Sequence, residues 1–589
     1  RSHWNLRLSE QFMLSDAEIL EDLGQLKHIV ESHKAPDAPL SVGSAIIDGH
    51  ELPVFTKVPA NLCELYRIGL ADADQDFLVY EATRYSFGEA FTAASKLARQ
   101  LQEQYGIQTG DRVAVCGRNS PEWCLAYMAI TMLGAIVVPM NSWWTGPELE
   151  YGLEDSGARL IFADTPRHEK IHASLSKLSI DVILMRPTAA EPAIPEIHNL
   201  IAGCEPLEES DFDALGITPE HDASIMYTSG STGHPKGVLS THRGIISALF
   251  TWKFVKEINE ILRPELREDN PPYQAALLAN VPLFHVTGSH AQFLASFIYQ
   301  RKFVMMYKWN AEAALELIES ERISILHGVP TMTWEVMQSP NFATTDLSSL
   351  RSVQSGGAPR PPEHLAMMVQ KFPDKALPGL GYGLTETNAL GAIISGKFYQ
   401  SRPNSTGRPT PPLTQVRIVN EQGQTLSANE VGEICIKGPS VMKGYWNKPE
   451  ATAEVLKDGW FHTGDLGLLD DLGFLIILDR AKDIVIRGGE NIGCAEVEYA
   501  IHEHSAVSEV SVYGIPDPRL GEVPCATIML KEGRSLTADE LTGFLRDKIA
   551  AFKVPEKFYF QREQLPRIAS GKIAKKVLRQ QAIDRLAGA

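Results

Sequence analysis

From Tyr85 onward, short apolar runs alternate with segments of helical periodicity. The run Val113–Cys116 follows a helical stretch over Ala90–Tyr105, and the run Ala135–Pro139 follows a helical stretch over Glu122–Leu133. Strands that alternate with helices in this way are typical of a mostly parallel sheet with helices on both faces. We therefore predict an α/β fold built on a doubly wound sheet. Further buried strands are predicted at Leu160–Phe162, Val182–Leu184, Ala276–Val281, Phe303–Met306, Ile325–His327 and Val353–Ser355.

The chain of 589 residues is too long for one compact domain, and its pattern changes twice. After about residue 400, prolines interrupt the helical periodicity, and short strands predict a small β subdomain. From Asp483 the pattern starts afresh, which predicts an independent small α+β domain. The predicted strands of these two parts are Gln415–Val419, Glu433–Lys437, Leu475–Leu478, Val510–Ile515 and Ala526–Leu530, and the predicted helices are Ala495–Glu503 and Asp539–Ala550.

Three segments follow from this pattern. Residues 1–80 are predicted to be a polar, partly helical lead-in, with Ala17–Ser32 as an amphipathic helix. Residues 81–480 are predicted to form the large domain with its β subdomain. Residues 481–589 are predicted to form the small carboxyl-terminal domain.

Composition excludes several classes of protein. The net charge of −18 argues against a general nucleic-acid binder, since a basic surface would be needed to neutralise phosphates. Seven cysteines without a C-x-x-C pair, and the lack of a signal-peptide core, predict a cytoplasmic protein. The apolar run Cys124–Met140 contains Gly134 and Pro139, so we expect core rather than a transmembrane segment. Peripheral membrane contact stays open, as does the choice between a monomer and a homodimer.

The stretch Ile225–Val238 has the chemistry of a phosphate-binding loop. Glycines let backbone N–H groups turn toward an anion, hydroxyl groups donate further hydrogen bonds, and a lysine supplies positive charge. A Ser/Gly-rich surface linker has a similar composition. Apolar residues flank the loop on both sides, however, which favours a strand–loop–strand tip. The predicted phosphate-binding residues are Thr228, Ser229, Gly230, Ser231, Thr232, Gly233 and Lys236.

The loop resembles the AMP-binding signature of the adenylate-forming superfamily, which includes acyl-CoA synthetases, nonribosomal-peptide adenylation domains and beetle luciferases. Further segments resemble the other motifs of that family and follow its order; they are Gly379–Glu386, Gly459–Gly467, Leu478–Ile484 and Leu565–Ile573. The resemblance covers residues 80 to 580. It implies that the cofactors are ATP, Mg²⁺ and coenzyme A, and that the substrate is a small-molecule carboxylic acid.

The resemblance also implies roles for single residues at the nucleotide. Tyr382 would lie flat on adenine, Thr385 would donate to the phosphate, and Glu386 would hold Mg²⁺. Asp465 would accept the ribose hydroxyls, and Arg480 would reach the same ribose from the other side. Without the resemblance, these residues read as a Gly-rich turn, a turn aspartate and a solvated charge cluster. Backbone that lines the adenine and acyl pockets is expected at Gly356, Ala358, Gly381 and Gly383.

The small carboxyl-terminal domain is expected to be mobile. In the family, a lysine at the position of Lys572 bridges the substrate carboxylate and the α-phosphate, where it stabilises developing charge. The segment Arg487–Asn491, with Gly488 and Gly489, resembles the loop that lines the tunnel for coenzyme A. Lys482 matches the family's hinge position. Taken alone, Lys572 is one of several basic residues at a solvated helix start.

The segment Asn280–Ser289 bears on the identity of the acid. Relatives that activate amino acids carry an aspartate where this chain has His285, and a histidine cannot replace a permanent buried anion. His285 therefore argues against an α-amino acid substrate, and it is expected to line and gate the acyl site. Small and apolar neighbours predict a roomy, uncharged pocket, although they also suit ordinary strand ends. The predicted pocket residues are His285, Val286, Gly288, Gly328, Val329, Gly357 and Gly383.

We expect an AMP-forming acyl-CoA synthetase. It would activate a hydrophobic acid, such as a medium- or long-chain fatty acid or a bulky steroid-like or terpenoid-like acid, to an acyl-adenylate and transfer the acyl group to coenzyme A. A free-standing ligase is favoured because no carrier domain follows Lys572. The alternatives are a fatty acyl-AMP ligase that loads a carrier protein, a luciferase-like oxidase of the adenylate, and a non-catalytic acyl-binding relative.

Overall fold

The computed structural model describes residues 14–187, 194–228, 235–264, 267–268, 271–357, 360, 362–480, 485–487, 490–517, 519–546, 548–568 and 572–587. Its α-helices are α1 (Asp16–Ser32), α2 (Leu62–Ile68), α3 (Phe87–Glu103), α4 (Pro121–Met132), α5 (Gly146–Ser156), α6 (Thr165–Leu178), α7 (Ile197–Ile201), α8 (Glu209–Ala214), α9 (His242–Leu262), α10 (Ala295–Tyr299), α11 (Ala311–Ser320), α12 (Pro330–Gln338), α13 (Pro362–Lys371), α14 (Gly396–Ser401), α15 (Pro449–Val455), α16 (Cys494–His502), α17 (Ala538–Arg546) and α18 (Lys575–Ala587).

The strands are β1 (Val42–Ile47), β2 (His50–Phe55), β3 (Asp76–Tyr80), β4 (Thr83–Ser86), β5 (Arg112–Cys116), β6 (Ile136–Pro139), β7 (Leu160–Asp164), β8 (Asp181–Met185), β9 (Asp222–Thr228), β10 (Lys236–Thr241), β11 (Ala276–Ala279), β12 (Lys302–Met305), β13 (Ile325–Gly328), β14 (Ser352–Gly356), β15 (Leu377–Tyr382), β16 (Ala392–Ser395), β17 (Arg408–Pro409), β18 (Gln415–Val419), β19 (Gly432–Lys437), β20 (Gly444–Tyr445), β21 (Leu456–Lys457), β22 (Trp460–Leu469), β23 (Leu475–Arg480), β24 (Val485–Arg487), β25 (Glu490–Ile492), β26 (Val507–Asp517), β27 (Gly521–Leu530) and β28 (Lys557–Gln561).

Two large sheets form the frame of the large domain. One has seven strands in the order β20-β10-β9-β6-β5-β7-β8, and the other has nine in the order β17-β16-β15-β14-β13-β11-β12-β3-β4. The inner strands are parallel, and antiparallel strands stand at the edges. The α/β prediction is confirmed, with two such sheets. The largest apolar cluster joins α3, α4 and α9 to residues from both sheets.

The apolar run Cys124–Met140 shows how local sequence sets these elements. The Ser120 side chain accepts a hydrogen bond from the backbone N–H of Trp123, and a proline at the first helical position starts α4. Gly134 then adopts a φ of 68°, which lets the chain turn into β6. All residues of α4 and β6 are buried, as predicted. No helix among the described residues has the length and apolarity to cross a bilayer.

The amino-terminal segment is more than a lead-in. It contains the predicted helix as α1, the hairpin β1–β2, and β3, which pairs with β12 in the nine-stranded sheet. The predicted boundary at residue 80 falls inside the hairpin β3–β4. Local sequence patterns do not reveal that β3 belongs to this sheet, because β3 pairs with a strand more than 200 residues away.

Two smaller sheets complete the structure. The β subdomain contains β18-β19-β22-β21, with β23 paired to β22. The carboxyl-terminal domain contains β25-β24-β27-β26, with β28 parallel to β27, and carries α16, α17 and α18. A smaller α+β domain at this end agrees with the prediction. The helix predicted to reach Ala550 ends earlier, at Arg546.

Candidate active site

The predicted phosphate loop is the tip of an antiparallel hairpin between β9 and β10. Thr228 pairs with Lys236 across the hairpin, and the Thr228 hydroxyl donates to the Lys236 carbonyl at 3.4 Å. The strand–loop–strand geometry is therefore confirmed at both flanks. The tip residues Ser229, Gly230, Ser231, Thr232 and Gly233 lie outside the described residues.

Tyr445 joins the phosphate hairpin to Glu386. Its hydroxyl donates to Glu386 Oε1 at 2.9 Å, and Lys236 Nζ lies 4.8 Å from the centre of its ring. Burial and the nearby carboxylate raise the pKa of Tyr445 well above its usual value, so the phenol stays a donor. Thr385 and Glu386 lie in a short 3₁₀ turn after β15, and the Glu386 side chain is nearly buried. The sequence did not single out Tyr445, because β20 has only two residues and no periodicity.

Tyr382 and Asp465, assigned to adenine and ribose, lie together. The Tyr382 hydroxyl donates to Asp465 Oδ2 at 2.6 Å. Asp465 is 5% exposed, and its strand β22 pairs with β23, where Arg480 stands directly opposite. The predicted hairpin that carries the aspartate and the arginine is therefore present. The side chain of Arg480 is outside the described part of the chain.

Glycines at the carboxyl ends of β14 and β15 leave open space beside the lysine predicted to be catalytic. Gly356 pairs with Gly381, and a Cβ added at Gly381 would meet nothing within 4 Å. A Cβ at Gly357, which has a φ of 76°, would lie 3.4 Å from Lys572 Cε and 3.7 Å from its Nζ. The carboxyl-terminal domain thus brings Lys572 to the glycine backbone. Ala358 lies outside the described residues.

His285 lies at the same end of the site. Its Nε2 is buried without a hydrogen-bond partner, and its ring contacts Phe284 at 4.5 Å between centroids. Burial, and to a lesser degree the positive charge of Lys572, lower the pKa of His285 to about 3. The imidazole is therefore neutral at ordinary pH and provides no charge to pair with a substrate.

A cavity of about 710 Å³ runs from these glycines toward the surface near Tyr273 and Arg322. One wall is the face of β13–β15, and the other is formed by α9, α10 and the π-helical turn Thr287–Leu294. Its apolar wall residues include Ala291, Ala295, Ile298, Ile325 and Leu377, and its polar ones include His327, Gln354, Ser352 and Arg301. A volume of this size suits a drug-sized ligand.

Part of the predicted acyl pocket lines this cavity. Of the seven predicted residues, Gly357 and Gly383 are in its wall. Gly288 has no open space, because a Cβ there would lie 2.3 Å from the Pro282 carbonyl oxygen. A Cβ at Gly328 would lie 2.9 Å from Asn280 Nδ2, and Val286 and Val329 are buried in packing. These glycines serve close backbone approach, which the sequence alone does not separate from pocket lining.

The segment assigned to coenzyme A is described only in part. Arg487 donates to Glu556 at 2.6 Å within the carboxyl-terminal domain. Gly488, Gly489 and the hinge residue Lys482 lie outside the described residues, so their roles stay predictions.

Most of the chain matches known protein families. Residues 70–446 match the family described as AMP-binding enzyme, and residues 496–572 match the AMP-binding enzyme C-terminal domain. The chain belongs to the AMP-binding enzyme family. A feruloyl-CoA synthase from an Amycolatopsis species is 36% identical over 496 residues, which cover 84% of this chain and 93% of the relative.

Two further relatives of this AMP-binding enzyme agree. The long-chain-fatty-acid–CoA ligase of Bacillus subtilis (strain 168) is 34% identical and covers 90% of this chain and 95% of its own. A solved o-succinylbenzoate CoA synthetase from Bacillus subtilis, in complex with its acyl-adenylate intermediate, superposes with a TM-score of 0.73 at 30% identity; it covers 88% of this chain and 98% of its own. This AMP-binding enzyme is therefore an adenylate-forming, AMP-forming CoA ligase that uses ATP and coenzyme A.

Proposed function

We propose that the protein activates a bulky, mainly apolar carboxylic acid. The acid would be a medium- or long-chain fatty acid or a steroid-like or terpenoid-like acid of similar bulk. The observation that carries this proposal is the position of Lys572 beside Gly357, a residue that lines a cavity of about 710 Å³. A carboxylate placed there has the lysine beside it and a large space for its tail.

The reaction divides into two balanced steps. In the first, a carboxylate oxygen of the acid attacks the α-phosphorus of ATP, and pyrophosphate leaves. In the second, the thiol of coenzyme A gives its proton to solvent, its sulfur attacks the acyl carbon, and AMP leaves with the electrons of the broken bond. Lys572 would stabilise negative charge that develops in the first step, since a fixed cation acts strongly where water is excluded.

Residues of the large domain would hold the nucleotide. The hairpin with Thr228 and Lys236 would receive the phosphates, Tyr382 would stack on adenine, and Asp465 would accept the ribose hydroxyls. Glu386 would hold Mg²⁺, because a carboxylate oxygen is the donor that this hard cation prefers. The ion, when bound, would neutralise phosphate charge. The hydrogen bond from Tyr445 fixes the orientation of that carboxylate.

Two features favour an apolar acid over an amino acid. His285 is neutral, with a pKa of about 3, so no anion stands at the position where amino-acid enzymes need one. Aliphatic residues such as Ile298, Ile325 and Leu377 line the cavity wall. The names of the feruloyl-CoA synthase and of the long-chain-fatty-acid–CoA ligase do not refer to amino acids. The cavity volume of about 710 Å³ favours a bulky tail.

The experiment is a comparison of carboxylic acids in ATP-dependent pyrophosphate release. The panel contains acetate, an amino acid, ferulate, fatty acids of increasing length and a steroid acid. We expect kcat/KM to rise with apolar bulk. Highest efficiency with acetate or with an amino acid would refute the proposed acid class. A cytoplasmic location, peripheral membrane contact and a monomeric or homodimeric state stay predictions.

A further inference from the structure

An aromatic contact joins the large domain to the carboxyl-terminal domain away from the nucleotide motifs. Trp334 of α12 stacks on His364 of α13, with ring centroids 4.5 Å apart and planes 12° apart. His364 in turn meets His502, the last residue of α16, at 6.1 Å and 63°. We call these three side chains the interdomain stack. They line a cavity of about 250 Å³ that is open between the two domains.

A polar contact stands beside the stack. Gln564 of the carboxyl-terminal domain donates to Glu335 Oε1 at 3.1 Å, and the other oxygen of Glu335 accepts from the Trp309 indole at 2.5 Å. Gln564 lies eight positions before Lys572 in the chain. The contacts that fix the carboxyl-terminal domain against α12 and α13 are therefore close, along the chain, to the lysine that this domain delivers.

We propose that the interdomain stack is a positioning element that holds the carboxyl-terminal domain in the arrangement that places Lys572 beside Gly357. The inference rests on the proposed function in one respect: only the first half-reaction needs Lys572 at that place. The cavity of about 710 Å³ is not lined by any of the three side chains. They act through the position of the domain.

The stack also predicts how pH acts on this arrangement. Burial is the main cause that lowers the pKa of His364 to about 3 and that of His502 to about 4. The other charged or titratable groups that face the contact are Arg360, Lys531, Glu503, His504 and Glu335. A protonated His364 would gain from the face of Trp334. Two positive neighbours, Arg360 and Lys531, and the loss of hydration oppose that gain.

The sign of the pH effect follows from these shifts. A histidine freed into water titrates near its usual pKa of 6.5, whereas in the stack it stays neutral to lower pH. The docked arrangement thus binds fewer protons, and its stability is full above pH 6.5 and declines as pH falls below that value. Between pH 7.5 and 5.5, each imidazole shifts the equilibrium away from docking about tenfold.

The test separates the two half-reactions. His364→Ala and His502→Ala should slow acyl-adenylate formation from ATP about three- to tenfold, the usual worth of an aromatic pair. Thioester formation from supplied acyl-adenylate and coenzyme A should stay within about twofold, since it does not need the docked lysine. The control is His172→Ala on α6 of the large domain, whose exposed ring meets His168 of the same helix at 6.5 Å. It should change neither rate beyond twofold.

A second variant keeps the ring and removes the titration. His364→Phe should retain adenylation at pH 7.5 and lose less of it at pH 5.5 than the wild-type protein. Hydrogen exchange of α13 and α16 in the substrate-free protein gives a readout that needs no acid, and His364→Ala should speed it. Equal slowing of both half-reactions by the alanine variants, or unchanged hydrogen exchange, would refute the proposed positioning role of the interdomain stack. If the wild-type protein activates no acid of the panel, but His364→Ala still speeds exchange, only the proposed function is refuted.

Discussion

Removal of one hydroxyl, in Tyr445→Phe, should weaken the handling of Mg²⁺ by Glu386. The phenylalanine keeps the ring beside Lys236 and deletes only the donor that lies 2.9 Å from Glu386 Oε1. A hydrogen bond to a charged group contributes about 1.5–3 kcal/mol. Because Tyr445 is only partly buried, water can replace part of this hydrogen-bond energy, so the lower end of the range applies. About 1.4 kcal/mol corresponds to about a tenfold effect.

The assay is pyrophosphate release across a titration of Mg²⁺ at saturating ATP and acid. We expect Tyr445→Phe to need about ten times more Mg²⁺ for half-maximal rate, and to recover most of the wild-type rate at saturation. Tyr445→Leu also removes the ring next to Lys236, which is worth about 0.5–1 kcal/mol more at a partly exposed site. It should therefore raise the KM for ATP as well. Identical Mg²⁺ curves for the wild type and Tyr445→Phe would show that the hydrogen bond does not orient Glu386.

Three further predictions concern the site and its glycines. Glu386→Ala should lower the rate of adenylation about 100-fold or more, and wild-type pyrophosphate release at every Mg²⁺ concentration would remove Glu386 from the metal site. Lys482→Pro should retain acyl-adenylate formation and lose thioester formation, because proline fixes φ at the predicted hinge. Lys572→Ala should lose acyl-adenylate formation and retain thioester formation from supplied acyl-adenylate. Equal losses in both half-reactions would contradict domain alternation. Gly288→Ala should lower the melting temperature, since its Cβ would meet a carbonyl oxygen at 2.3 Å. Gly381→Ala, whose Cβ would meet nothing within 4 Å, should fold normally and raise the KM for ATP or for the acid. A lower melting temperature for Gly381→Ala than for Gly288→Ala would contradict this account of the two glycines.

Local patterns in the sequence were sufficient for much of the fold. The strands near Leu160, Ile325 and Val353 appear where apolar runs predict them, since a buried parallel strand needs a continuous apolar stretch. The hairpin under the phosphate loop follows from the apolar flanks at Ile225 and Val238. Both inferences use residues that are neighbours in the chain.

Contacts between distant segments could not be obtained in this way. Tyr445 reaches Glu386 across 59 positions, through a strand of two residues. β3 joins the nine-stranded sheet through its pairing with β12, and the interdomain stack depends on how the two domains pack. Gly288 was assigned to the pocket by its small size, but close backbone approach selects the same residue. Only the packing of the fold distinguishes these two roles, and that packing cannot be predicted from the local pattern of one sequence.

The most direct test of the central claim is the product formed from ATP, Mg²⁺ and a hydrophobic acid, with and without coenzyme A. Mass spectrometry of the products identifies them without a coupled assay. With coenzyme A, we predict stoichiometric acyl-CoA, AMP and pyrophosphate; without it, enzyme-bound acyl-adenylate and a single turnover of pyrophosphate. Acyl-adenylate that reacts only with a carrier protein, or an oxidised acid formed with oxygen, would contradict the account.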